Sequence, residues 1–436
     1  RNDWSSSLPL ESNSYFYPSA SLSYILTESF AFPEWFSFWK LRGSYAQTAN
    51  DTDPFLLDFI YNTGTFGNQQ TATHPSTKPP VELRPQIANS FEVGTTLGFW
   101  QDRINLDFTY YFIRSFDQIL DAPVPSSSGV NQVRINSGIL ENQGIELALT
   151  ANVIQKPDFF LETGINLARN RNTVVSLGDG ANSLELANIW GLFGPNISVR
   201  EGDTYGTIYG YDYVYHEGTG QPIVNDDGTH YLITENLVPV GNAAPDFTGG
   251  WTIRARYKRF TLNTLVDAKI GGDIYAGSYV IGLQTGQSPE TLLEREGGGL
   301  PFEDPDGNVR DVGVILPGVY SNGVQNDQVV HYYYKYLPNA GGWGQWLTTP
   351  GILDNTWVKM REVSLNYNVP TEWFGKRKIF QSLQLSFIGR DLFYLYTSLP
   401  DRINPEGSNG AGNAQGLEWA SFPGIRSFSL RLNCKL

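Results

Sequence analysis

Long runs of strict apolar–polar alternation, joined two by two through very short turns, restrict this chain more than any other feature. In NSFEVGTTLGFW, Phe91, Val93, Thr95, Leu97 and Phe99 share one side of an extended chain. After a turn at Gln101-Asp102, Ile104, Leu106, Phe108, Tyr110 and Phe112 form one face, with Asn105, Asp107, Thr109 and Tyr111 opposite. Successive strand side chains point to opposite sides, so each pair reads as a two-faced β-hairpin. GIELALTANVI turns at Lys156-Pro157-Asp158 into FFLETGINLA, and FTGGWTIRARY turns at Lys258-Arg259 into FTLNTLVDAKI. The last hairpin places Arg254, Arg256, Asn263, Asp267 and Lys269 on its polar side. YPSASLSYIL with WFSFWKLRGSYAQ, and TWVKMREVSLNYNV with SLQLSFIGRDLFYL, repeat the unit, and the chain closes on the alternating RSFSLRLNCKL.

Strand length separates two readings. In a soluble sandwich the apolar face would meet a core; in an outer-membrane barrel it would meet lipid, with the polar face toward a wet lumen. The runs are about ten to thirteen residues long, whereas soluble strands usually have about five or six. Eleven residues at ~3.4 Å each and a tilt near ~40° rise ~29 Å, the thickness of a bilayer's hydrocarbon core.

The connections are lopsided. Short turns close one end of each hairpin, while long segments join the other ends, approximately Asp51–Asn89, Ser115–Asn142, Asn172–Pro245, Gly272–Asn355 and Tyr396–Ile425. In outer-membrane barrels the long loops are extracellular. About eleven strands are counted, and single-chain bacterial barrels usually have an even number. The expectation is therefore one domain over residues 1–436, the C-terminal part of a larger transmembrane antiparallel β-barrel, with eleven further strands completing 22.

Composition narrows the classes of function. The sequence has 14 % aromatic and 17 % charged residues, the latter below the roughly 25 % of soluble domains. No apolar run approaches the ~20 residues of a membrane-spanning helix. A formal net charge of −14 argues against nucleic acid as a partner. One cysteine, Cys434, excludes an intrachain disulfide framework and any CxxC metal site. RNDWSSSLPL lacks the basic and apolar regions of a signal peptide.

Several stretches, taken in order, resemble the SusC/RagA-type TonB-dependent outer-membrane transporters of Bacteroidetes. They are FPEWFSFWKLRGSYAQTAN, ANSFEVGTTLGFWQDRINLDFTYYFIRSFDQIL, NSGILENQGIELALTA, DAKIGGDIYAGS, TWVKMREVSLNYNVP, LSFIGRDLFYL and FPGIRSFSLRLNCKL. NSGILENQGIELALTA is similar to the family's N-x-G-x-x-x-N-x-G-x-E segment. The resemblance implies import of a bulky nutrient, glycan or peptide, across the outer membrane. It also implies a SusD-like surface lipoprotein over the extracellular loops, and TonB acting on a plug. The sequence departs from the family in showing no plug, no TonB box and no carboxypeptidase-like extension, and in ending on Leu436 where an aromatic residue is common.

No enzyme is expected. HExxH, GxSxG and P-loop patterns are absent, His74, His216, His230 and His331 are scattered, and nothing calls for a cofactor. EDPDGNVRD has the oxygen density of a calcium loop, with Asp304, Asp306 and Asp311 as weak ligand candidates, but lacks the EF-hand series and reads first as an ordinary turn. Tyr and Trp gather in polar, Gly-rich loop segments, making Trp190, Tyr211, Tyr213, Tyr333, Trp343 and Trp346 candidates for ligand or partner contact. Their alternative role is to pack the loops together. Asp107, Arg254, Arg256, Asp267 and Lys269 are candidates for lining the lumen, or for hydrogen bonding to a plug. Trp39, Phe99, Trp100, Trp251, Tyr257 and Trp373 fit an interfacial girdle. Two rival readings are a structural barrel without import, and a secreted β-rich adhesin; the uneven spacing of the runs disfavours the latter.

Overall fold

A computed structural model describes residues 1–80, 82–178, 183–189, 194–295, 298–336, 346–374, 381–408 and 412–435. Eleven strands dominate it: β1 (Ser19–Ile25), β2 (Phe36–Asn50), β3 (Gln86–Phe99), β4 (Ile104–Phe116), β5 (Ile139–Gln155), β6 (Phe159–Ser176), β7 (Phe247–Tyr257), β8 (Phe260–Ile270), β9 (Trp357–Asn368), β10 (Ser382–Thr397) and β11 (Ser427–Lys435). They form one sheet in which spatial order follows chain order, β1 and β11 being the edges. Each neighbouring pair is antiparallel, so this is an uninterrupted up-and-down meander.

Register carries the two-faced pattern across the sheet. Thr95 opposes Phe108, which opposes Leu147, which opposes Leu167. One residue along, Thr96 opposes Asp107, which opposes Ala148, which opposes Asn166. A one-residue slip would exchange the two rows, so the pattern selects a single register. The apolar row stays uncovered: Leu430 is 77 % exposed, and Phe91, Phe387, Leu385, Leu365 and Phe428 are exposed too. Among the described residues, the three clusters of buried apolar side chains lie in or beside the long connections. An extensive uncovered apolar face on long strands suits acyl chains rather than water.

The strands run further than the alternation indicates. β5 has 17 residues and β6 has 18, against the ten to thirteen expected. Their ends stay paired through polar side chains, with Asn142 opposite Asn172 and Gln143 opposite Arg171. Backbone pairing does not require an apolar side chain, so hydrophobic alternation marks the apolar band and not the strand. On the outer row of β6 that band stops between Leu167 and Arg169.

Connections at one rim span residues 26–35, 100–103, 156–158, 258–259 and 369–381; at the other they span 51–85, 117–138, 177–246, 271–356 and 398–426. The long ones contain sheets of their own. Residues Leu184–Asn188, Asn196–Val199, Thr207–Gly210 and Val238–Asn242 form a four-stranded sheet, and Leu300–Glu303, Val309–Ile315 and Val329–His331 a three-stranded one. Ile189, Ile197 and Ile208 pack with Tyr275, Val280 and Leu417, joining the last three long connections in one core. The carboxylate of Glu418, 1 % exposed, accepts from the Ser278 N–H at 3.0 Å and hydroxyl at 2.6 Å, and from the Ser421 hydroxyl at 2.9 Å. Ser278 lies in the first turn of helix α1 (Gly277–Gln284), where exposed N–H groups favour an anion. Among the described residues no helix is long and apolar enough to cross a membrane, which leaves crossing by strands open.

The two rows should respond oppositely to charge. Leu147→Arg, in the apolar row, is expected to destabilise the folded full-length protein by about 2–4 kcal/mol. Ala148→Arg, one residue on, is expected to cost under about 1 kcal/mol, because its face is already polar. Urea titration of protein folded into lipid vesicles measures both, and equal costs would contradict the assignment of faces.

Candidate ligand-facing surface

The polar row is organised around paired charges. Arg42 on β2 reaches Asp107 on β4 with two parallel bonds, Nη2 to Oδ1 at 2.6 Å and Nη1 to Oδ2 at 2.9 Å. Thr96 on the intervening β3 donates to the same carboxylate at 2.7 Å. The guanidinium passes over Gly94, where a Cβ would lie 2.8 Å from its central carbon; only glycine leaves that path clear. Beyond this pair the wall is concave, with a cavity of about 480 Å³ lined by Asp107, Thr109, Glu146, Asn166, Thr248 and Asp267.

A denser network sits at the long-connection end of β8, β9 and β10. Here β9 and β10 carry a bulge: Met360 opposes Phe393 and Glu362 opposes Arg390, leaving Arg361, Asp391 and Leu392 outside the ladder. Asp391 takes a left-handed conformation, φ 53°. A bulge re-aims side chains. It sends Arg361 to the polar side beside Lys359. Lys359, 4 % exposed, meets Asp391 at 2.9 Å and Glu406 at 2.5 Å. Arg361 meets Asp267 at 2.7 Å, Asp391 at 2.7 Å and Glu406 at 2.6 Å. The Tyr394 hydroxyl donates to Glu406 at 3.2 Å. Glu406 comes from the connection 398–426. Burial would raise its pKa, but the hydrogen bonds from Arg361 and Lys359 outweigh that and hold its carboxyl below the usual range.

Of the residues nominated from sequence, Asp107 and Asp267 occupy these clusters. Lys269, opposite Thr248, completes the same polar row. Arg254 and Arg256 are exposed on that row, opposite Asn263 and Thr261; the Arg256 guanidinium stands 5.7 Å from the Phe160 ring. Lys359, Arg361, Asp391 and Glu406 were not nominated. The signal for Lys359, Arg361 and Asp391 is a break in alternation at KMRE and GRDL, the mark of a bulge; Glu406 lies in a connection and carries no such signal.

The aromatic candidates separate. Tyr211 pairs by backbone with the segment after Trp346, the Thr348 N–H donating to its carbonyl at 2.8 Å. Tyr213 packs edge-on to Tyr231 at 4.8 Å, beside a cavity of about 250 Å³ also lined by Tyr279, Leu283, Lys335 and Tyr336. Burial pushes the Tyr213 phenol well above its ordinary pKa and that of Tyr231 up to about 12. Tyr333, in the short helix Tyr333–Tyr336, is exposed. Trp190 and Trp343 lie outside the described residues. Of the girdle candidates, Trp100, Trp251, Tyr257 and Trp373 are exposed, Trp39 bonds Thr95 at 3.1 Å, and Phe99 stacks on Trp35.

Asp304 serves as a turn acceptor, taking the N–H groups of Asp306 at 3.0 Å and Asn308 at 2.9 Å, which lowers its pKa. Asp311 stands further along the hairpin, opposite Pro301. Among the described residues no group of three or more His, Cys, Asp or Glu could hold a metal ion.

Comparison with known proteins agrees with this architecture. Residues 1–293 match the family described as TonB dependent receptor-like, beta-barrel. TonB-dependent receptor P3 of Formosa agariphila is 28 % identical over 466 residues, covering 100 % of this chain and 43 % of the relative. TonB-dependent receptor SusC of Bacteroides thetaiotaomicron is 26 % identical over 54 % of this chain and 25 % of its own length. Among solved structures, the RagAB peptide importer in the closed-closed state superposes with a TM-score of 0.69 at 17 % identity, over 99 % of this chain and 45 % of that one. That likeness is one of fold. The chain spans less than half the length of the first of these relatives.

The two charge clusters should differ in worth. Arg42 and Asp107 are each partly exposed, so a double-mutant cycle between Arg42→Ala and Asp107→Ala is expected to yield a coupling of about 1 kcal/mol or less. Lys359→Met leaves Glu406 and Asp391 without a deeply buried partner and is expected to cost about 3 kcal/mol. Both are read from urea unfolding of the full-length protein in vesicles; a Lys359 variant as stable as wild type would remove the network from the account.

Proposed function

This chain belongs to the TonB-dependent receptor-like β-barrel family, and from that premise we propose that it is part of an outer-membrane importer for a bulky nutrient, peptide or glycan. The observation that carries the reading is the sheet's division into an uncovered apolar row and a charge-paired polar row. The apolar row faces lipid. The polar row, with Asp107, Asp267, Lys269, Arg254 and Arg256, lines the passage. Further strands from the rest of the protein meet the free edges of β1 and β11, because an unpaired ladder in hydrocarbon costs several kcal/mol for each orphaned group.

The long connections form the extracellular layer, and the short turns face the periplasm. Ligand is held between the polar wall and the layer built by the last three long connections, where Tyr211, Tyr213, Tyr333 and Trp346 stand. Trp190 and Trp343 belong to the same connections. A SusD-like surface lipoprotein closes over that layer, as the resemblance to SusC/RagA-type transporters suggests. TonB supplies the energy through a plug elsewhere in the protein. No covalent chemistry is involved; binding and release do the task. Peptide is supported by the fold shared with the RagAB peptide importer. Glycan is supported by the tyrosine-lined cavity, since aromatic faces stack on sugars.

Orientation gives a direct test. With Cys434→Ser as background, Asn322→Cys lies in a long connection and Arg259→Cys in a two-residue turn. On intact cells expressing the full-length protein, a membrane-impermeant maleimide is expected to label Asn322→Cys and to spare Arg259→Cys until lysis. The reverse pattern would invert the assignment. Affinity purification in mild detergent is expected to retain a surface lipoprotein at near-equal stoichiometry, and its consistent absence would remove the lid from the proposal.

A further inference from the structure

We infer that Arg361, Lys359 and Tyr394 form a receptor for a carboxylate, and that Glu406 fills it as a ligand supplied by the chain itself, in exchange with carboxylate-bearing solute. The inference deepens the import reading and rests on the polar row facing the ligand path.

Geometry is the first support. Arg361 holds Glu406 with two prongs, Nη2 to Oε1 at 2.6 Å and Nη1 to Oε2 at 3.1 Å. Lys359 adds a third donor at 2.5 Å, and the Tyr394 hydroxyl, 3.2 Å from Glu406 and 3.1 Å from Asn404 Oδ1, shares its one proton between the two. This is the fork-to-fork arrangement by which arginine selects planar carboxylates. The donors are anchored on two adjacent strands, and the Trp357 and Tyr394 rings flank the cations at 5.5 Å and 5.0 Å. The donors stand on strands, while Glu406 comes from the connection 398–426.

Charge balance is the second support. Two cations, Lys359 and Arg361, face three carboxylates, Asp267, Asp391 and Glu406. Asp267 and Asp391 belong to the wall and already neutralise the cations. Withdrawing Glu406 therefore strands no unpaired charge, which is the usual obstacle to opening a buried ion pair. The Glu406 side chain keeps 31 % of its surface exposed, so the contact is open to solvent. With Glu406 withdrawn the two cations and the two wall carboxylates balance; with it docked the cluster carries one net negative charge, and a solute carboxylate can take the same place on the freed fork.

Pentaalanine with a free carboxyl end and its C-terminal amide serve as probes, titrated calorimetrically against the purified full-length protein in detergent. The acidic balance of the chain favours the more positive amide at long range, so preference for the free acid isolates recognition at the fork. Glu406→Gln removes the internal competitor's charge and is expected to tighten binding of the free acid about tenfold, without effect on the amide. Arg361→Lys keeps the charge and the ion pairs but loses the two-pronged geometry, and is expected to weaken the free acid about tenfold. Equal binding of acid and amide, or a Glu406→Gln variant that binds the acid no better than wild type, would overturn the inference. Purified protein is used throughout, so this outcome is separable from the cell-surface labelling that tests orientation.

Discussion

A polypeptide that crosses hydrocarbon has to pair every peptide group internally, since no water is there to accept or donate. Ten antiparallel ladders in unbroken sequence do this for the interior strands of the sheet. The other features follow from that arrangement. Antiparallel neighbours joined at alternate ends leave short turns at one rim and long connections at the other. Alternating side chains make one face oily and the other polar. A register that keeps Phe108 beside Leu147 necessarily keeps Asp107 beside Ala148. The oily row and the charge-paired row are one constraint seen from two sides.

The protein is consequently inverted in one layer and conventional in the next. Within the eleven strands the apolar side chains look outward, and the inner row is held by bonds such as Arg42 to Asp107 and Asn263 to Ser364. In the long connections water surrounds the chain, and the ordinary rule returns. Val224, Val314, Leu316 and Val330 form a small core between short strands, and Ile208, Tyr275 and Leu417 form another. Glu418 shows the cost of joining connections this way. A buried carboxylate is tolerated only because hydroxyls and a helix N-terminus satisfy it.

The hairpins were legible because alternation is a direct consequence of burial on one face. The turns at Lys156-Pro157-Asp158 and Lys258-Arg259, the order of the strands and the five long connections all fall where the pattern puts them. Strand ends were not legible: at Asn142 and Asn172 the ladder continues where apolar residues stop. The small sheets of the long connections were missed because strands of two to seven residues carry too little periodicity to register. The polar wall was half visible. Asp107 and Asp267 follow from parity alone. Lys359, Arg361 and Asp391 depend on a bulge that shifts parity, and Glu406 on a fold-back from a connection with no periodic signal. The Tyr and Trp clusters show the limit of composition, since Tyr213 is packed among its neighbours while Tyr333 is exposed.

Charge is partitioned along the same line. The eleven strands hold 13 of the 30 Lys and Arg but 8 of the 44 Asp and Glu, so the chain's negative charge resides in its connections. On the wall, Arg42, Lys359, Arg361 and Arg390 each have a carboxylate within 3 Å. Charges paired in this way exert little long-range field, because each cation's potential is largely cancelled by its partner and salt screens the remainder beyond ~8 Å; Arg254 and Arg256, exposed on the same row, stand outside these pairs. The paired part of the wall thus presents many hydrogen-bonding groups with little net charge. The carboxylate excess of the connections acts over a longer range than these pairs do, because neighbouring cations are too few to cancel it.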